Sequence, residues 1–235
     1  MPTNGHRRPL TLLHAADLHM GSDTSVLESL KGLDALVESA RSLSADAVLI
    51  AGDLFDAQNI PHDVVRRTFA ALAEIGRPVV VVPGNHDTLL VSPVFRETPL
   101  PANVRVLLTA EGESAKLDSL DLTVWGRPVY DHSPAFRPLQ GMRPRPDGGW
   151  YVALAHGLVT GSAGMVGRSS PILPAELAQA QCDYIALGHV HQFRQASRGG
   201  PPAFYCGAPS GVSEPTMAVV RLHPQEGVSV APVKL

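Results

Sequence analysis

Seven side chains able to ligate a divalent cation stand directly behind apolar runs. Asp17 and His19 follow LTLLHAA, Asp53 follows AVLIAG, Asn85 follows VVVVPG, His156 follows YVALA, and His189 and His191 follow YIALG. Their donors are carboxylate, amide and imidazole, without thiolate. That set suits Mn, Fe, Zn or Co better than Ca, with Mg less favoured than those four. One ion cannot use all seven, whereas two ions sharing a carboxylate can, and Asp53 has two oxygens to share. Such a pair, about 3.5–4 Å apart, serves phosphoryl transfer: it acidifies a water, holds phosphate oxygens and neutralises charge during an in-line displacement. Taken singly, each position reads equally as a polar loop residue or a hydrogen-bonded core histidine. Their recurrence at run after run points to one shared pocket.

The stretch GNHD, residues 84–87, contributes more than a ligand. Asn85 is a neutral oxygen donor that limits net charge. His86 is needed by neither ion, and an imidazole exchanges its proton near neutral pH. It is therefore the candidate catalytic acid or transition-state stabiliser beside the leaving oxygen. Such a ring needs an orienting partner. Asp56, three residues after Asp53 in GDLFD, is the first candidate; Asp87 is the second, and also suits tying down its own loop.

Strands must carry these residues to a common edge. Residues 10–16, 47–51, 78–82, 151–155 and 184–187 have the length and content of buried strands. Residues 25–43 and 62–75 place apolar side chains at helical spacing, the second stretch opened by Pro61. The order β-α-β-α-β predicts parallel strands with right-handed crossovers, whose carboxyl ends form one ligand-binding rim. Gly52, Gly84 and Gly188 precede loaded positions and permit a sharp turn off the strand. Asp17/His19 and His189/His191 are spaced by two, so in extended backbone both members face the same way.

The second half has strand-like runs at 104–108, 122–126, 203–207 and 217–223, with a single helix candidate at 174–180. The expected architecture is α/β, two packed sheets with helices outside. It is read as one domain over residues 10–235 after a flexible stretch 1–9, with long loops at 127–149 and 157–171. Arg127, Arg137, Arg143, Arg145 and Arg168 lie in those loops; they read as a phosphate-binding wall or as solvated surface.

The bulk properties remove several classes. With 44% hydrophobic residues in 235, a substantial core can be buried. A net charge of −3 supplies no global basic field toward nucleic acid or an anionic membrane. Cys182 and Cys206 lie in no CxxC pair, which argues against a disulfide-built scaffold. No run approaches the ~20 apolar residues of a membrane span, and the N-terminus has no signal-type apolar segment. The expected location is cytoplasmic, with no membrane partner.

The ordered set D-x-H, GD, GNHD, a lone histidine behind an apolar strand, and GHxH resembles the calcineurin-like metallophosphoesterase superfamily over residues 11 to about 215. HAADLHMGS, AGDLFDA, VPGNHD, YIALGHVHQ and YCGAPSGVSEP are most similar to SbcD-type DNA repair exonucleases, without a counterpart of their C-terminal DNA-capping domain. The resemblance implies a four-layer αββα sandwich. It also implies a first metal on Asp17, His19, Asp53 and His191 and a second on Asp53, Asn85, His156 and His189. His86 matches the family's catalytic histidine, and Asp56 the aspartate that orients it in the phosphatase branches. The metal implied is Mn. The expected activity is that of a dinuclear phosphoesterase cleaving phosphodiester bonds by in-line attack of a metal-bound hydroxide. Nucleic acid is the first substrate class, in the manner of a DNA exonuclease; small nucleotides or other phosphoesters are the alternative. An inactive interaction subunit is a third reading, which loss of ligands would mark; here the set is complete.

Overall fold

The computed structural model describes residues 7–22, 26–56, 60–90, 93–133, 135–161, 170–211 and 214–235. Ser25 as a helix start, Arg168, and most of the 157–171 loop fall outside the described residues. The elements run β1 (Leu10–Ala15), α1 (Val26–Ser42), β2 (Ala47–Ala51), α2 (His62–Glu74), β3 (Val79–Val82), α3 (Val94–Glu97), β4 (Val104–Val106), β5 (Glu113–Leu117) and β6 (Leu122–Gly126). After a stretch whose described residues form no helix or strand follow β7 (Trp150–His156), β8 (Leu158–Val159), β9 (Pro171–Ile172), α4 (Pro174–Gln179), β10 (Tyr184–Gly188), β11 (Phe193–Gln195), β12 (Ala203–Cys206), β13 (Thr216–His223) and β14 (Gly227–Lys234).

Two six-stranded sheets carry the fold, in the orders β14-β13-β1-β2-β3-β4 and β11-β12-β10-β7-β6-β5. The strands that end at the candidate residues are parallel within each sheet: β1 to β2 to β3 in the first, β7 to β10 in the second. Antiparallel strands close the edges, β13 and β14 on one sheet and β5 and β11 on the other.

The layering follows from alternation along strands that are buried on both faces, which is why they read as continuous apolar runs. Leu12, Leu49, Val80 and Val82 point between the sheets and meet Val124, Val152, Leu154 and Ala186. Their neighbours Leu13, Val48, Ile50, Val79 and Val81 point outward, where Leu33 and Leu36 of α1 and Phe69 and Leu72 of α2 cover them. On the far side Tyr151, Ala153, Ile185 and Tyr205 pack under Leu177 of α4. The result is two packed mixed sheets flanked by helices.

One polar pair interrupts the inter-sheet core. His14 is fully buried, and its Nδ1 lies 2.9 Å from the Tyr184 hydroxyl across the sheets. Burial drives the His14 pKa down to about 3, partly opposed by the Leu187 backbone, so the ring is neutral there.

Candidate metal centre

The loaded positions lie at the carboxyl ends of β1, β2, β3, β7 and β10, and the structure brings them together. Past β1 the chain runs beside the chain past β2: Asp17 N–H donates to the Gly52 carbonyl at 3.0 Å, His19 N–H to Asp53 at 3.0 Å, and Met20 N–H to Leu54 at 2.9 Å. Four of the seven residues sit at positive φ: Asp17 (55°), His19 (49°), Asp53 (51°) and His189 (98°). Non-glycine residues adopt that region at a cost of about 1–3 kcal/mol each unless neighbours impose it. Here hydroxyl groups help to impose it. Ser210 Oγ donates to the Asp17 carbonyl at 2.7 Å, and Ser29 Oγ to the His19 carbonyl at 2.9 Å.

The ligand atoms form two abutting groups. In the first, one donor atom from each of Asp17, His19 and His191 lies within 4.8 Å of the others; His19 Nε2 is 3.4 Å from His191 Nε2. In the second, donor atoms of Asp53, His156 and His189 lie equally close together. Asn85 joins that group, its Oδ1 lying 2.9 Å from both His156 Nε2 and His189 Nδ1. The groups touch through Asp53, whose main-chain carbonyl accepts the His19 N–H, and through Asp17, whose carboxylate accepts the His189 N–H at 3.0 and 3.2 Å.

The tautomer of His156 decides what this second group can hold. Its Nδ1 donates to the Ala51 carbonyl at 2.8 Å, which turns the Nε2 lone pair toward Asn85 Oδ1 and, at 3.2 Å, Asp53 Oδ2. Acceptors then face acceptors in a pocket where His156 and Asp53 are 1% and 2% exposed. With His156 in this tautomer, such a set favours positive charge, either a proton or a cation. The electrostatics agree. Burial works against charge on His156, yet the Asp53 and Asp17 carboxylates outweigh it and lift its pKa to about 9. For Asp53 burial pulls upward, and His156, His19 and His86 together hold it below the usual carboxylate range. Burial, seconded by His156, lowers His189 to about 4, and burial also lowers His19 and His191, so these rings offer lone pairs near neutral pH. The donor chemistry therefore fits divalent cations. Glycine makes the approach possible: a Cβ on Gly84 would lie 2.2 Å from Asp53 Oδ1.

His86 stands beside these groups on the open side, its side chain 44% exposed. Its Nδ1 is 2.9 Å from Asp56 Oδ1, the same oxygen that lies 2.8 Å from His19 Nδ1. Between the two partners considered for His86, Asp56 makes the contact. The Asp87 carboxylate is fully buried and accepts the Gly84 N–H at 2.7 Å and the Phe55 N–H at 3.1 Å. It ties the GNHD turn to the segment carrying Asp53.

The loop arginines are engaged differently from a phosphate wall. Arg127 donates to the Ala110 and Arg137 carbonyls and lies over Phe136. Arg145 pairs with Asp183 at 2.5 Å and donates to the Gly149 carbonyl. Both brace the fold, and this replaces the substrate-wall reading for these two residues. Sequence reasoning did not find Ser29 or Ser210. Ser210 lies in the YCGAPSGVSEP stretch, but nothing in its type points to a partner 193 residues away.

A family model described as calcineurin-like phosphoesterase matches residues 10–193. Among curated proteins, the uncharacterized metallophosphoesterase YhaO of Bacillus subtilis is 29% identical over 221 residues, covering 84% of this chain and 52% of that protein. The SbcD subunit of the nuclease SbcCD from the same organism is 28% identical over 247 residues, covering 87% and 62%. The chain thus spans about half to three-fifths of the length of these relatives. Among solved structures, a dimetal phosphatase from Danio rerio superposes with a TM-score of 0.61 at 12% identity, covering 96% of this chain and 98% of that one. That likeness concerns the fold. Among the described residues, no helix is long and apolar enough to cross a membrane.

Proposed function

Because the chain belongs to the calcineurin-like phosphoesterase family, we propose that it is a phosphodiesterase working through two divalent cations on nucleic-acid substrates. Asp17, His19 and His191 would hold one cation and Asn85, His156 and His189 the other, with Asp53 shared. The observation that carries this is the acceptor-lined pocket at Asn85 Oδ1, where two imidazole nitrogens converge at 2.9 Å and His156 keeps its proton on the far nitrogen. When bound, divalent cations supply Lewis acidity, activating water and neutralising phosphate charge. Manganese is the favoured ion by the SbcD-type resemblance, and the donor set suits it together with Fe, Zn and Co.

The remaining work falls to the chain's own groups. His86 and His191, with side chains 44% and 52% exposed, mark the side from which substrate enters; His156 and Asp53 close the opposite wall. Asp56 holds His86 by Nδ1, which leaves Nε2 free to deliver a proton to the leaving oxygen. Asp17 is buried and holds the His189 backbone, so the ligand behind β10 is fixed before substrate arrives. Similarity to the SbcD protein over 87% of the chain supports the nucleic-acid reading. The test is a manganese-supplemented assay comparing single-stranded DNA, duplex ends, cyclic nucleotides and a generic phosphodiester. Cleavage of only the small substrates removes the nuclease reading; hydrolysis of none removes the enzymatic one.

A further inference from the structure

The outer side of the second sheet carries a pocket that the metal centre does not use. Tyr205, Leu177 and Val159 line it, with Arg194, Arg198 and Thr160 around them and, among the described residues, no aspartate or glutamate. In a chain of net charge −3, that is a local reversal of sign. Among the described residues Arg194 and Arg198, like most arginines of this chain, face no carboxylate, and both are exposed; what sets them apart is that they share one pocket.

The pocket is also held in shape. The Arg194 guanidinium lies over the Tyr205 ring, 5.3 Å from its centroid. That contact holds the group over the ring, and a guanidinium so held keeps N–H donors available for a pair of oxygens. Tyr205 is fixed in turn: its hydroxyl donates to the Gly157 carbonyl at 2.9 Å and accepts the Val159 N–H at 2.8 Å. Ser197 Oγ accepts the Ala203 N–H at 3.0 Å, which anchors the hairpin carrying Arg198.

Its position relates it to the reaction. Arg194 comes three residues after His191, so their Cα atoms are at most about 11 Å apart. His191 is on the open side of the metal centre. Gly157, which the Tyr205 hydroxyl grips, directly follows His156.

We propose that this pocket is an anion subsite that takes a phosphate of the substrate other than the scissile one. Its catalytic consequence rests on the phosphodiesterase reading: substrates bearing a second phosphate, as a nucleic-acid strand does, are favoured over isolated diesters. Phosphate binding in the pocket does not depend on that reading.

The test uses the double variant Arg194→Ala/Arg198→Ala, both positions being exposed. Calorimetry on the protein as purified compares adenosine 3′,5′-bisphosphate with adenosine. The bisphosphate should bind the parent protein and lose at least about tenfold in affinity in the variant, as expected for loss of two charge-assisted contacts, while adenosine binds neither. With manganese, the preference for a short oligonucleotide over bis(nitrophenyl) phosphate should fall about tenfold. Equal bisphosphate affinity in parent and variant, no bisphosphate binding, or an unchanged preference would overturn the proposal. A parent protein that hydrolyses nothing, yet shows the affinity difference, would sink the phosphodiesterase reading and support the pocket.

Discussion

Replacing Gly52 by alanine should damage the metal centre from behind. Gly52 has φ +93°, and a Cβ there would stand 2.1 Å from His156 Nδ1 and 2.5 Å from its Cγ. The displaced atom is the one that donates to the Ala51 carbonyl, and the ring is 1% exposed, with no room to swing. A left-handed conformation costs an alanine about 1–2 kcal/mol, and forcing a methyl into a packed interior about 1–3 kcal/mol. The sum is about 2–5 kcal/mol. Gly76→Ala separates the two contributions, because Gly76 has φ +64° with nothing within 4 Å of its would-be Cβ; it should lose only the first, about 1–2 kcal/mol. Urea denaturation of both variants, with elemental analysis of each, measures the difference. Gly52→Ala is expected to be the less stable and to bind the second cation weakly, whereas Gly76→Ala keeps both. Equal stability and equal metal content in the two variants would refute the reasoning, since His156 would then not need the space that Gly52 leaves.

Three further outcomes follow from particular contacts. His86→Ala should retain metal while turnover falls by about 10²–10⁴; loss of metal alongside turnover would make His86 a ligand instead. In a double-mutant cycle, His86→Ala and Asp56→Ala should be non-additive by about 0.5–3 kcal/mol in transition-state free energy, because the Asp56 carboxylate contacts the His86 ring; strict additivity would remove the orienting role. The third concerns pH. With the His14 pKa lowered by burial to about 3 from 6.5, the unfolded chain binds a proton below 6.5 that the native chain refuses. Stability is therefore lost as pH falls through that window, by up to about 4–5 kcal/mol. His14→Gln should flatten the fall in urea midpoint between pH 7 and pH 4; parallel curves for the two proteins would contradict it.

Much of the architecture was legible because its strands are buried on both faces. AVLIA and VVVV read as strands since every residue in them is buried. The same cause made the convergence of these residues legible: one polar residue behind an apolar run says little, but metal-capable residues behind five such runs point to a shared rim. Other elements gave weaker signals. In β14 exposed residues recur at every second position for much of its length, and Pro232 within it is a residue that seldom marks a strand. The three residues of β11 carry no period, and β5, ESAKL, contains one buried residue in five. Such strands are specified by the neighbour they pair with. The arginines of the 127–149 stretch show the limit for function. Arginine serves a phosphate and a carbonyl equally well, and only the positions of Ala110, Arg137 and Asp183 decide which it does. The serine clamps on Asp17 and His19 were hidden for a related reason, since a hydroxyl has no signature until its partner is in place.

Whether seven side chains between Asp17 and His191 cage two cations is tested most directly by anomalous diffraction from crystals grown with excess manganese. The expected map has two peaks, one among Asp17, His19 and His191 and one among Asn85, His156 and His189, with Asp53 between them. A map with no peak there, or with its only peak away from these side chains, would contradict the two-cation centre.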